Sequence, residues 1–237
     1  MPQPIGQAKH QNSPGAGGRK WKVFSMVPKE LRKARIDGGA SWFRKYGKVD
    51  ALQATKTLAS RGGHLVYDEF SKFMPNPLNM TALEIGGAYS PISIHFPFKS
   101  ITLMEADRHL MAQTIGKGFA HRARPQEVKV IVGKIENPKL HGKFGVCIVA
   151  EVLTHVFPQL RAAAIRGLAK HADRFFIIDR YASGHHNTYV PSLVNSGDVI
   201  TALAAEGFRT QIKTIDNLNW TADKYFIITA TRENERR

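Results

Sequence analysis

At 237 residues the chain is long enough for one large domain and a smaller appendage, well above the size at which a core needs disulfide staples. Its one cysteine, Cys147, lies in the apolar run Val146-Cys147-Ile148-Val149, which excludes an internal disulfide and a cysteine-based metal site and suits a reducing, cytoplasmic compartment. No stretch approaches the roughly eighteen apolar residues of a membrane span, and the N-terminus lacks the apolar centre of a signal peptide, so the chain reads as soluble. A net charge of +15 and a pI near 10.1 point to a polyanionic partner, most simply nucleic acid with RNA favoured, although an anionic membrane surface or a merely solvated basic surface fits the same balance.

Residues 1–18 are rich in Gly, Pro, Gln and Asn with almost no large apolar groups, a composition that cannot offset its ordering entropy and predicts a disordered tail. From Arg19 to Asp50 there are ten Lys and Arg against three Asp and Glu, a local charge of +7. Pro28 suits a first helical turn, Gly38 and Gly39 interrupt, and Asp50 can cap a helix running to about Ser60. Trp21, Phe24, Trp42, Phe43 and Tyr46 are interleaved with these cations, which suits phosphate attraction combined with base stacking and equally suits a small helical core. Lys29, Arg32, Lys33 and Arg35 are the candidate phosphate contacts. A further apolar-periodic piece, Leu65, Val66, Phe70, Phe73 and Met74, ends at Pro75-Asn76-Pro77 and should lay one face on the main domain. Residues 19–74 thus read as a basic helical N-terminal layer, and residues 75–237 as the principal domain.

Beyond Pro77 the pattern changes to short β-rich runs at residues 82–85, 101–104, 128–132, 146–150, 175–178, 209–215 and 225–230. Helical stretches at about 108–121, 159–171 and 198–206 separate them, which argues for βαβ units around a mainly parallel sheet. The first run opens Thr81-Ala-Leu-Glu-Ile-Gly-Gly-Ala-Tyr-Ser90, a strand carrying Glu84 into a small-residue turn at Gly86, Gly87 and Ala88, where backbone can approach a ligand closely. Nineteen residues after Gly86, Leu103-Met-Glu-Ala-Asp107 places Glu105 and Ala106 at the end of the second strand, where nucleotide-binding α/β folds set an acid on ribose hydroxyls. Glu105 and Asp107 are alternatively carboxylates at the N-terminal dipole of the next helix, a role that Asp107 fits better.

This order of elements, with two final strands joined by the turn-rich Asp216-Asn217-Leu218-Asn219, resembles the seven-stranded sheet of class I S-adenosylmethionine-dependent methyltransferases, an α/β Rossmann-like fold with helices on both faces. In that family the last strand inserts antiparallel, which distinguishes it from a dinucleotide-binding dehydrogenase. The turn resembles the family's first motif, although Ala88 and Ser90 stand where its second and third glycines usually do. The resemblance implies S-adenosylmethionine as cofactor, bound by Glu84, Gly86, Gly87, Ala88, Glu105 and Ala106. At the third strand end, Val132-Gly-Lys-Ile-Glu136, Lys134 replaces the usual adenine-side acid and leaves that contact to Ile135, Glu136 or backbone.

Methyl transfer from an activated sulfonium needs an aligned nucleophile more than a fixed catalytic triad. Glu151 and His155 after the fourth strand and Asp179 after the fifth are the candidate bases. Their plain alternatives are capping of the next helix for Glu151 and His155, and pairing with Arg180 or Arg174 for Asp179. The long segment Arg180-Tyr-Ala-Ser-Gly-His-His-Asn-Thr-Tyr189 at the sheet's carboxyl edge supplies Tyr181, His185 and His186 as substrate contacts; the adjacent histidines lack a third ligand, so no metal site is expected. The Asn/Asp-Pro-Pro-aromatic motif and the Pro-Cys loop of two DNA methyltransferase classes are both missing. His64 upstream of Leu83-Glu-Ile-Gly-Gly-Ala is also similar to alphavirus-type RNA capping enzymes, a resemblance that would make His64 a guanylate acceptor. The sequence reading is therefore a methyltransferase acting on RNA or another nucleic acid, with a small-molecule methyltransferase and an inactive nucleic-acid-binding scaffold as alternatives. Nothing in the sequence sets the oligomeric state.

Overall fold

A computed structural model describes residues 64–86, 91–106, 127–180, 194–216 and 224–233. They form helix α1 (His64–Phe73), strands β1 (Thr81–Ile85), β2 (Ser100–Glu105), β3 (Glu127–Val132) and β4 (Val146–Ala150), helix α2 (Pro158–Ala169), strand β5 (Arg174–Arg180), helix α3 (Ser196–Ala204) and strands β6 (Phe208–Asp216) and β7 (Lys224–Arg232). The strands make one seven-stranded sheet in the order β3-β2-β1-β4-β5-β7-β6. β1 to β5 pair in parallel, and β7 runs antiparallel between β5 and β6. All seven strands coincide with the apolar runs of the sequence, and the inserted antiparallel β7 is the topology that the resemblance implied.

The central strands are continuous apolar runs because both of their faces are covered. Side chains alternate across them, so neighbours in sequence feed two cores. Leu83, Cys147, Phe175 and Ile177 pack with Ala164, Ile165 and Leu168 of α2 and Val199 and Leu203 of α3. Ala82, Ile148, Phe176 and Ile178 pack on the other face with Val66, Phe70 and Met74. Phe70 is fully buried, its ring edge-on to Phe176 at 5.0 Å and tilted against Phe96 at 4.5 Å, which fixes α1 to that face. Leu65, expected among the apolar anchors of this piece, is 40% exposed and lies off the buried stripe. A half-buried Glu69 accepts from the exposed Lys72 at 2.7 Å and Lys213 of β6 at 2.8 Å, a surface link of small energy.

The helix ends follow local chemistry. Pro158 opens α2 at a position whose N–H would be unsatisfied anyway. The Asn195 side chain accepts from Gly197 N at 2.9 Å and starts α3 two residues before the expected Asp198. α3 stops at Ala204, short of the expected Glu206, because residues 205–207 tighten into a turn closed by Gly207 at φ +79°, and α2 stops at Ala169, short of the expected His171, whose N–H donates three residues back to Leu168 O at 2.8 Å. Arg232 of β7 closes this end of the molecule: its guanidinium donates to the carbonyls of Ala169, Ala172 and Glu206 and lies 4.3 Å over the Phe208 ring. The expected tail and basic layer through residue 63, and the helix expected at 108–121, lie outside the described residues.

Candidate functional site

The strand order reverses between β1 and β4, so chain leaving their carboxyl ends departs in opposite directions and opens the crevice where ligands bind in such sheets. Gly86 follows β1 at this point. Its φ is +77°, its N–H donates to Met104 O at 3.0 Å, and a Cβ built on it would lie 2.0 Å from Val152 Cγ2. Only glycine fits, for reasons of both conformation and space. Gly87 and Ala88 lie outside the described residues.

Glu84 is fully buried on the α1 face. Its Oε1 accepts from Ile92 N at 2.6 Å, and its Oε2 accepts from Ser93 N at 2.9 Å and from the Ser93 hydroxyl. Burial pushes its pKa up to about 7 against the lowering pull of these bonds. This differs from the expected cofactor contact: the Glu84 carboxylate holds the start of the short 3-10 turn Ser93–His95.

Glu105, half-buried at the end of β2, accepts from Ala106 N at 2.8 Å, while its carbonyl accepts from Gly133 N at 3.0 Å and ties the ends of β2 and β3 together. Ala106 is exposed, Lys134 and Glu136 are half-buried, and Asp107 lies outside the described residues. Ile135 is a correction: it is 4% exposed and belongs to the α2-side core, so its side chain fills the interior beneath the edge.

The segment after β4 is the most tightly held part of the edge. Glu151 adopts φ 53°, uncommon for a residue with a Cβ, with its N–H on Ile178 O at 2.8 Å and its Oε2 3.1 Å from Arg180 Nη2. Leu153–His155 then forms a 3-10 turn. Asp179, fully buried, accepts from Leu153 N at 2.7 Å and Thr154 N at 3.3 Å through Oδ2, and from Arg180 N at 2.8 Å through Oδ1. Burial, helped by the nearby Glu151 charge, pushes its pKa up to about 7. Burial first and the Arg180 charge second push the His155 pKa down, leaving a neutral imidazole at pH 7.

Both plain alternatives for these acids are corrected. Glu151 and His155 do not cap α2, whose N-cap position is Phe157 with no side-chain bond, and the Asp179 carboxylate is occupied by backbone N–H groups. With no exposed surface, Asp179 cannot meet a substrate in this conformation, so Glu151 and His155 are the candidate bases left on the edge.

Two arginines complete the arrangement: Arg180, expected only as a partner of Asp179, and Arg161, which the sequence reading missed. Arg180 pairs with Glu151 and faces His155. Arg161 of α2, only 6% exposed, donates through Nε to Leu153 O at 2.8 Å and Val156 O at 3.1 Å. A signal for Arg161 existed, because it occupies the same helical stripe as Ala164, Ile165 and Leu168. Tyr181, His185, His186, Lys29, Arg32, Lys33 and Arg35 lie outside the described residues, as does the side chain of His64, the first residue of α1. Among the described residues, no group of three or more His, Cys, Asp or Glu could hold a metal, and no helix is long and apolar enough to cross a membrane.

No protein-family model and no curated protein matches the sequence. Solved structures match in fold. Magnesium protoporphyrin IX methyltransferase from Synechocystis PCC 6803 with bound SAM is 18% identical, with 88% of this chain and 99% of that one covered at a TM-score of 0.61. The N-methyltransferase NodS from Bradyrhizobium japonicum WM9 is 15% identical over 72% of this chain and 97% of its own, at 0.56. The cyclase SpnF is 12% identical over 70% of this chain and 80% of its own, at 0.55. The chain therefore has the Rossmann-like fold of class I methyltransferases, a fold that also carries a protein described as a cyclase.

Proposed function

We propose that this protein is an S-adenosylmethionine-dependent methyltransferase. The observation that carries the reading is the Gly86 turn at the β1/β4 reversal, where a Cβ is forbidden and backbone alone can face a ligand. On this reading the turn at Gly86, Gly87 and Ala88 holds the cofactor, Glu105 takes its ribose hydroxyls, and Glu136 beyond the third strand end borders its adenine. The bound SAM of the magnesium protoporphyrin methyltransferase supports the choice of cofactor. The cofactor would supply an activated methyl group on a sulfonium. The chain's own part is then to align a nucleophile, exclude water and accept a proton where the nucleophile needs it. His155, kept neutral by burial and Arg180, is the candidate base, and Arg180 holds the neighbouring Glu151 in place.

For the substrate we favour RNA, reached through the basic N-terminal segment. Residues 1–63 carry thirteen Lys and Arg against three Asp and Glu, a concentration that favours phosphate contacts. A small-molecule substrate is the second reading, favoured by one observation: the described residues carry fifteen Lys and Arg against thirteen Asp and Glu, so among them there is little net charge to attract a polyanion. Calorimetry with SAM and SAH tests the cofactor reading, with binding in the micromolar range expected. Absence of heat and of thermal shift with both compounds at millimolar concentration would overturn it in favour of an inactive scaffold.

A further inference from the structure

We propose that Arg161 is a positioning residue for the cofactor turn, acting through Val152; the inference rests on the reading of the Gly86 turn as the cofactor site. Val152 fills the space that a side chain on Gly86 would need, its Cγ2 lying 2.0 Å from where that Cβ would be. The placement of one therefore limits the placement of the other. Val152 follows Glu151 beyond the end of β4 and belongs to no strand or helix, so regular secondary structure does not fix it. It packs against the α2-side core and is held by the turn that it opens: His155 N donates to Val152 O at 2.9 Å, and Val156 N to Leu153 O at 3.1 Å.

That turn is gripped at both ends by opposite charges. Asp179 takes the N–H groups of Leu153 and Thr154, while the Arg161 guanidinium takes the carbonyls of Leu153 and Val156. Leu153 is held from both sides, by its N–H and by its C=O. An apolar side chain at position 161 would fill the α2 stripe with Ala164, Ile165 and Leu168 without the desolvation of a buried guanidinium. Among the contributions of arginine there are two carbonyl hydrogen bonds to the turn, and with them a defined position for Val152. Loss of the guanidinium frees the carbonyl end of the turn, lets Val152 shift, and loosens the walls around Gly86. Arg161 need not touch the ligand for this.

A double-mutant cycle on the full chain reads this coupling, with SAH as the calorimetric probe and thermal melting measured alongside. Arg161→Gln should weaken SAH binding by about tenfold, and Arg161→Lys, which keeps a donor of shorter reach, should recover part of the loss. In a Val152→Ala background the same Arg161→Gln change should alter affinity by less than about twofold, because the side chain that transmits the effect is gone. If Arg161→Gln does not fold, Arg161→Lys and Asp179→Ala, which removes the acceptor at the other end of the turn, are run through the same cycle with the same expectation. Losses that multiply in the double variants, or a lowered melting temperature with unchanged SAH affinity, would make Arg161 a merely structural residue and overturn the inference. A wild-type chain that binds neither SAM nor SAH would instead sink the cofactor reading, and this inference with it.

Discussion

Glu84 and Asp179 stand at the carboxyl ends of β1 and β5 on opposite faces of the sheet, and each is fully buried with its oxygens accepting from the backbone of a 3-10 turn. Burial lifts both pKa values to about 7, from ordinary values of 4.5 for Glu84 and 3.8 for Asp179. Across that interval the folded chain binds more protons than the unfolded one, so stability from these groups is greatest at low pH and is lost as pH rises through about 7. His155 acts in the opposite sense below its ordinary 6.5, because the unfolded imidazole takes a proton that the folded one resists. Above 6.5 the two acids are unopposed by His155. The melting temperature should therefore fall from about pH 6.5 to about pH 8 and then level, and Asp179→Asn should make that fall shallower. A melting temperature that rises over this interval would refute the assignment.

Glu105→Ala should weaken SAH binding by about 1–3 kcal/mol, the worth of a charge-assisted acceptor, with the far-UV circular dichroism unchanged. Asp107→Ala should matter less. The half-buried carboxylate of Glu105 accepts from Ala106 N of the adjoining residue, at the end of β2 and outside the two hydrophobic cores. Equal losses for the two variants, or a collapsed spectrum, would assign Glu105 to the helix start or the core.

The strands were legible because β-rich apolar runs covered on both faces leave a periodicity that needs no partner to be read. The site was legible only to the level of which strand ends contribute to it. Alternation puts Glu84 on the face of Ala82, yet only the fold reveals that Ile92 and Ser93, eight and nine residues on, return to take both its oxygens. Asp179 and Arg180 are sequence neighbours whose polar groups go different ways, the carboxylate inward to Leu153 and the guanidinium to Glu151. Such choices depend on which loop returns to which strand end, and residue type carries no record of that.

Arg232→Met should destabilise the fold by about 3 kcal/mol, because it leaves buried carbonyls at the ends of α2 and α3 without their charged donor. β7 runs antiparallel to β5, and Arg232 lies beside Arg174 and Asp173 at the amino end of β5, the sheet edge away from Gly86. SAH affinity in the folded variant should stay within about twofold of wild type. Urea unfolding with an unchanged slope and a lower midpoint would match this account. An unchanged midpoint would mean that water replaces the guanidinium without loss.

The last prediction concerns the partner and rests on the basic segment from Arg19 to Asp50 with its interleaved Trp21, Trp42 and Tyr46. If that segment tracks a phosphate backbone, affinity for a single-stranded RNA should fall steeply with salt, because each neutralised phosphate releases condensed counterion. Replacing Lys29, Arg32, Lys33 and Arg35 with glutamine removes four charges, and the slope of log affinity against log salt should flatten by up to about 3, the single-strand value for four contacts. SAH binding should be unchanged, since the proposed cofactor residues begin beyond Pro77 and the described residues around them are nearly balanced in charge. Fluorescence anisotropy over a salt series with the wild-type and quadruple-glutamine chains separates the two effects. A quadruple variant that keeps the full slope would make these cations an ordinary solvated face. The near balance of charge among the described residues would then favour a small-molecule substrate.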